Sequence, residues 1–233
     1  MTVARFATPA AAAEAAAAAV AAAARAAVAA RGVFHLALSG GRSVVPLHRR
    51  LAAGGLGVPW AATHVWFADE RAVPPGDPAS NLRAVRETLL DALGLAPGGV
   101  HPMDGARDDL AAAARDYAAA LPEPLDLVVL GVGEDGHVAS LFPGSAQAAD
   151  DAARVAAVTG APKPPARRLT LGPAALRAAR GVIVMASGAE KAAAVAAALA
   201  PHGDARAVPA RLVRERSWFV DAAAAARLGP APP

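Results

Sequence analysis

The sequence predicts an α/β fold: a mostly parallel sheet with helices on both faces. Three observations carry that expectation. Short apolar runs alternate with alanine-rich stretches of helical length. The most apolar run, Leu125-Asp126-Leu127-Val128-Val129-Leu130, passes straight into glycines, as a buried central strand of a parallel sheet does. Over the 233 residues no Ser/Gly linker or run of like charge divides the chain, so one domain over 1–233 is expected.

The first helix is expected over residues 9–30. Arg5 precedes this long apolar run, which invites comparison with a leader peptide or a membrane span. Alanine is scarcely apolar enough for either, Glu14 and Arg25 interrupt the run, and no leucine-rich stretch is present, so an amphipathic surface helix fits better. A strand at 33–38, a helix from about Val44, a strand at 64–67 and a helix at 81–93 follow. A helix at 108–121 leads into the strand at 125–130. Strands at 154–158 and 181–186 accompany helices at 173–180 and 189–200. A short strand at 218–220 precedes a last alanine helix.

Hydrophobic residues are 55% of the chain, but most of the excess is alanine, which suits helices and buries little area, so the core must come from the Val and Leu strands. A net charge of only +3, with no basic stripe interleaved with aromatics, argues against a nucleic-acid partner. The absence of cysteine excludes disulfides and thiolate metal sites and agrees with a reducing compartment, so a cytoplasmic protein is expected.

Four segments carry chemistry. In GVGEDGHVASLFPG (131–144), Asp135 and His137 stand among four glycines at the end of a predicted central strand, where open α/β sheets bind ligands. Ser39-Gly40-Gly41-Arg42-Ser43 joins a strand to a helix, and its backbone amides suit an anion such as phosphate. Small glycine turns are also common there for structural reasons, and neither the dinucleotide nor the P-loop spacing is present. Asp69-Glu70-Arg71 emerges from a buried strand at the same sheet edge, as a site element or as an ion pair closing a loop. Lys163-Pro164-Pro165-Ala166-Arg167-Arg168-Leu169-Thr170 reads as a stiff basic loop presented to an anion.

Of 23 basic residues only Lys163 and Lys191 are lysine. Lys191 opens a predicted helix, where an ammonium opposes the helix dipole unless a bound anion compensates it. Among the other histidines, His35 and His64 read as core or edge residues, His48 and His202 as surface positions, and His101 as structural. No set of histidines and carboxylates has metal-ligand spacing, so neither metal nor cofactor is expected.

These segments, with HPMDG and SGAEKAAAV, occur in the order and approximate spacing of the 6-phosphogluconolactonases, within the glucosamine-6-phosphate deaminase and lactonase group, which the chain therefore resembles from about Leu36 to Val195. The resemblance implies a modified Rossmann-like sheet and hydrolysis of 6-phospho-glucono-1,5-lactone to 6-phosphogluconate in the oxidative pentose phosphate pathway. It implies His137 as general base, Asp135 orienting it or touching substrate hydroxyls, and Asp69 and Arg71 approaching from the neighbouring strand end. Arg71 would serve the carbonyl oxygen or its loop. Ser39, Gly40 and Gly41 with Arg168 and Lys191 would grip the phosphate. Arg42-Ser43-Val44 departs from the Ser-Thr-Pro common in that loop, so Arg42 would substitute a charge for hydroxyl contacts, and Val138 replaces a common threonine.

The expected partner is thus a small phosphorylated sugar lactone, with no nucleic acid and no membrane, and the protein a monomer or weak homodimer. Two alternatives stand. A glucosamine-6-phosphate deaminase/isomerase would need a carboxylate after the histidine, where this chain has Val-Ala-Ser-Leu-Phe-Pro-Gly. A non-catalytic sugar-phosphate sensor would usually carry a helix-turn-helix segment, and none is visible.

Overall fold

The computed structural model describes residues 2–93 and 99–229. In chain order it gives β1 (Thr2–Phe6), α1 (Pro9–Arg31), β2 (Phe34–Leu38), α2 (Val45–Ala52), β3 (Thr63–Phe67), β4 (Asp69–Arg71), α3 (Asn81–Val85) and β5 (Gly99–His101). Next come α4 (Leu110–Ala120), β6 (Leu127–Gly131), α5 (Ala146–Ala149), β7 (Val155–Val158), β8 (Arg168–Leu171), α6 (Pro173–Ala178), β9 (Gly181–Ala186), α7 (Ala192–Leu199) and β10 (Ser217–Asp221). Seven strands form one parallel sheet in the order β1-β10-β9-β6-β2-β3-β5. The other three, β4-β8-β7, form a small antiparallel sheet.

The central strands are covered on both faces: Leu36, Ala37 and Leu38 of β2 and Val128, Val129 and Leu130 of β6 are fully buried. β2 leads rightward to β3 and β5, whereas β6 leads the other way to β9 and β10. The gap between β2 and β6 is therefore the point where strand order reverses, and a crevice opens there beyond the carboxyl ends.

α1 is the expected long helix. Thr8 caps it by accepting from the Ala11 amide at 3.2 Å, and Pro9 takes the first turn, where its missing N–H costs nothing. Its 23 residues include an 18-residue stretch of mean hydropathy 1.4, so it is long and apolar enough by those measures to cross a membrane. One face, however, comprising Ala12, Ala13, Ala16, Ala17, Val20, Ala21, Ala24 and Ala27, is buried within the protein at helical spacing, against α2 and β10.

Several elements differ from the sequence reading. β1 and β5, at the two sheet edges, were not expected. The stiff basic loop continues into β8, whose Arg168, Leu169, Thr170 and Leu171 are all buried, and the charged triplet is β4, paired with it. The helix expected at 81–93 becomes a π-helical turn at Arg86–Leu90 and a tight turn at Asp91–Leu93 after α3. The stretch expected as a final alanine helix is a string of turns at 222–227, where the Asp221 carboxylate takes the Ala224 amide at 2.7 Å. His48 is not a surface residue but fully buried, since the π-helical turn packs across α2, with Thr88 Oγ1 3.1 Å from Nδ1.

Candidate active site

The carboxyl ends of β2, β3, β6 and β9 release the segments that begin at Ser39, Ala68, Val132 and Ser187 onto one rim. They enclose a cleft of about 620 Å³, a size suited to one small ligand. Ser39, Gly40, Gly41, Arg42, Asp69, Arg71, His137, Arg168 and Lys191 all line it. Asp135 does not; it stands behind the imidazole.

The loop after β6 is folded around His137. Asp135 Oδ1 lies 2.5 Å from His137 Nδ1 and 3.3 Å from its backbone N–H. Burial works against ionisation of Asp135, yet the His137 hydrogen bonds and the nearby Lys163 charge outweigh it and hold the carboxyl well below the usual range. An ionised carboxylate only accepts, so Nδ1 carries the proton and Nε2 is the basic nitrogen of a ring that lines the cleft. Gly133 is required by this packing: a Cβ there would lie 2.0 Å from Nδ1 and 2.4 Å from Asp135 Oδ1. Ala139, with φ 50°, is the one described non-glycine residue in the left-handed region, a conformation costing roughly 1 kcal/mol. Its neighbour Ser140 holds it there, through its amide on Thr170 Oγ1 at 3.0 Å and its hydroxyl on Asp69 Oδ2 at 2.7 Å.

Asp69 is buried with both oxygens occupied, Oδ1 receiving Asn81 Nδ2 at 3.0 Å and Oδ2 receiving Ser140. It ties the loop after β6 to β4 and α3. Glu70 is equally committed: it accepts the Arg71, Asn81 and Leu82 amides and the Ser80 hydroxyl, anchoring the start of α3. Burial pushes its carboxyl up, and those amides only partly offset the push. Arg71 faces Arg168 across the β4–β8 pair. Arg71 Nη1 donates to the Ala79 carbonyl at 2.5 Å, and its Nε is buried without a partner among the described residues. Arg168 donates to the carbonyls of Pro165 at 2.9 Å and Lys163 at 2.8 Å, so the proline-stiffened loop wraps the guanidinium. Burial pulls its pKa down, reinforced by Arg71 and opposed by Asp69.

The cleft is also lined by Ser39, whose buried hydroxyl has no partner among the described residues, and by the Gly40-Gly41 turn. Asn81 explains Gly40, because a Cβ there would sit 2.4 Å from Asn81 Oδ1 and 2.9 Å from its Cα. Lys191 precedes α7 with Nζ 3.8 Å from Glu134. Arg42, Arg71, Lys163 and Arg168 also line the cleft, and among the described residues none of these four forms an ion pair. Five cations thus converge against the carboxylates of Asp69, Glu134 and Glu190, a surplus that suits a dianionic group.

The sequence matches the model of the glucosamine-6-phosphate isomerases/6-phosphogluconolactonase family over residues 7–220. The chain belongs to this family. Among its relatives, a 6-phosphogluconolactonase of Streptomyces coelicolor is 40% identical over 219 residues, covering 85% of this chain and 84% of that one. The 6-phosphogluconolactonase of Trypanosoma brucei superposes with a TM-score of 0.84 at 30% identity, covering 98% of both chains. A monomeric glucosamine-6-phosphate deaminase superposes equally well, at 0.84, but at 21% identity, covering 97% of this chain and all of that one, which shows a shared fold.

The cleft of this family member also uses residues to which the sequence reading gave no role: Asn81, Glu134, Ser140 and Phe142. Ser80 caps α3 by accepting the Arg83 amide at 3.2 Å, and serine's preference for that position is the one local signal in this segment. Nothing in one sequence tells that Ser140 spans 71 positions to meet Asp69.

Proposed function

We infer that this chain hydrolyses 6-phospho-glucono-1,5-lactone to 6-phosphogluconate, the lactonase step of the oxidative pentose phosphate pathway. The observation that carries the reading is the His137–Asp135 pair: an imidazole with Nδ1 held by an ionised carboxylate, facing a cleft rich in unpaired cations. His137 Nε2 removes a proton from water as its oxygen adds to the lactone carbonyl, and Asp135 stabilises the imidazolium that forms. The tetrahedral intermediate then collapses, breaking the bond from the carbonyl carbon to the ring oxygen. The imidazolium returns its proton to that oxygen, leaving a hydroxyl and a carboxylic acid, which then releases its proton to solvent to give the carboxylate.

Arg71, tied to Ala79, supplies positive charge toward the developing oxyanion. Asp69 acts as a brace for Ser140 and Asn81 rather than as a second base, because each of its buried oxygens is engaged by one of them. Arg168, Lys191, Ser39 and the Gly40-Gly41 amides grip the phosphate, with Arg42 at the exposed lip. We further propose that residues 1–233 act as one domain in the cytoplasm, as monomer or weak homodimer, on a free sugar phosphate and without nucleic acid or membrane.

A coupled assay on freshly generated 6-phosphogluconolactone, corrected for spontaneous opening and run beside glucosamine 6-phosphate, tests the reading. Turnover of the lactone without ammonia release is expected; ammonia from the amino sugar and no lactone turnover would replace the lactonase by the deaminase. Lys191→Ala should raise KM for the phosphorylated lactone at least about tenfold, the weight of one charge-assisted hydrogen bond. KM for unphosphorylated gluconolactone should stay where it was. Equal changes with both substrates would remove Lys191 from the phosphate grip.

A further inference from the structure

Between the hydrolytic imidazole and the buried arginine lies one aromatic ring. The Phe142 centroid is 4.7 Å from that of His137, with the planes at 41°, and Arg168 Cζ stands 5.4 Å from the same centroid. Phe142 is 2% exposed, yet it lies outside the main core, in a separate apolar patch with Val158 and Ala161. Val158 is the register partner of Arg168 across β7 and β8. The Ala161 amide donates to the Ala166 carbonyl at 2.9 Å, closing the loop whose carbonyls wrap the Arg168 guanidinium. One ring thus touches the base, the cation and the footing of the loop that holds the cation.

His137 lies in the loop after β6 of the large sheet and Arg168 in β8 of the small one, and the ring packs against both side chains at once. We propose that Phe142 is a positioning residue that fixes the separation between the water-activating imidazole and the cationic end of the cleft, matching it to a substrate whose carbonyl and phosphate lie at opposite ends of one sugar. This rests on the lactonase reading above. The physical basis is the ring's shape and faces. A flat, rigid wall tolerates little change of spacing, its π face attracts the guanidinium, and the tilted ring contact fixes the imidazole plane. An aliphatic side chain of similar bulk fills the patch but supplies neither the face nor the stiffness.

The test compares Phe142→Leu with Phe142→Tyr, which keeps the ring, using the phosphorylated lactone and unphosphorylated glucono-1,5-lactone. For Phe142→Leu we expect kcat to fall about tenfold with both substrates, from a misplaced imidazole, and KM to rise about tenfold for the phosphorylated one alone. Phe142→Tyr should keep both constants within about threefold of wild type. The carbon-bound imidazole protons of His137, identified by their loss in His137→Asn, should shift in the leucine variant as the ring current disappears. If the leucine variant does not fold, Phe142→Met replaces it, since its flexible chain fills irregular space. A folded aliphatic variant that keeps both constants, or that raises KM equally for both lactones, overturns the proposal. Failure of the wild-type protein to open the phosphorylated lactone would instead overturn the lactonase reading itself.

Discussion

His137→Asn is expected to lower kcat for the phosphorylated lactone by about 10²- to 10⁴-fold, the usual worth of a positioned general base, while phosphosugar binding persists. The asparagine amide still reaches toward Asp135, so loop geometry is largely kept, but no nitrogen of useful basicity faces the cleft. The groups proposed to grip the phosphate, Ser39, Gly40, Gly41, Arg42, Arg168 and Lys191, belong to other segments, so Kd for the product, measured by calorimetry, should change little. Asp135→Asn should act in the same direction with a smaller effect, because the neutral amide no longer fixes the proton on Nδ1 or stabilises the imidazolium. Turnover of His137→Asn equal to wild type, after subtraction of spontaneous opening, would exclude this imidazole from the chemistry.

That His137 was legible in the sequence follows from its setting. An apolar run ending in glycines fixes a central strand, and whatever follows such a strand reaches the rim where ligands bind. The same logic placed Ser39-Gly40-Gly41 after β2 and Lys191 after β9. Of the second sheet only β7, the strand expected at 154–158, was legible; β4 and β8 were not, for a physical reason. β4 is Asp-Glu-Arg, with no apolar alternation, and it is buried because its charged groups are consumed by Ser80, Asn81, Ser140 and backbone amides far along the chain. Periodicity reports burial in an apolar core and is silent about burial by polar pairing. Phe142 shows the opposite gap: alone it reads as an ordinary core aromatic, and only the fold sets its ring between base and arginine.

His48 supplies the largest expected effect on stability. The run His48-Arg49-Arg50 suggests a solvated helix face, but burial under the π-helical turn pushes the His48 imidazole down to about 4 from its ordinary 6.5. In the folded protein it therefore stays neutral, while the unfolded chain takes up a proton below pH 6.5. Stability is full above that pH, declines as pH falls toward about 4, and loses nothing more from this group below it. The shift corresponds to a loss on the order of 3 kcal/mol, a large part of a typical domain's margin. Burial also lowers His35 and His101, adding acid sensitivity in the same direction, whereas the raised Glu70 favours the folded state in the acid range and opposes them. Urea midpoints from pH 7.5 down to 4.5, compared with those of His48→Gln, isolate the contribution. The variant loses the Thr88 pairing and starts less stable, yet its midpoint should fall with pH distinctly less than that of wild type. Parallel curves would mean that His48 takes up its proton in the folded state as readily as in the unfolded chain, and the buried neutral imidazole would have to be given up.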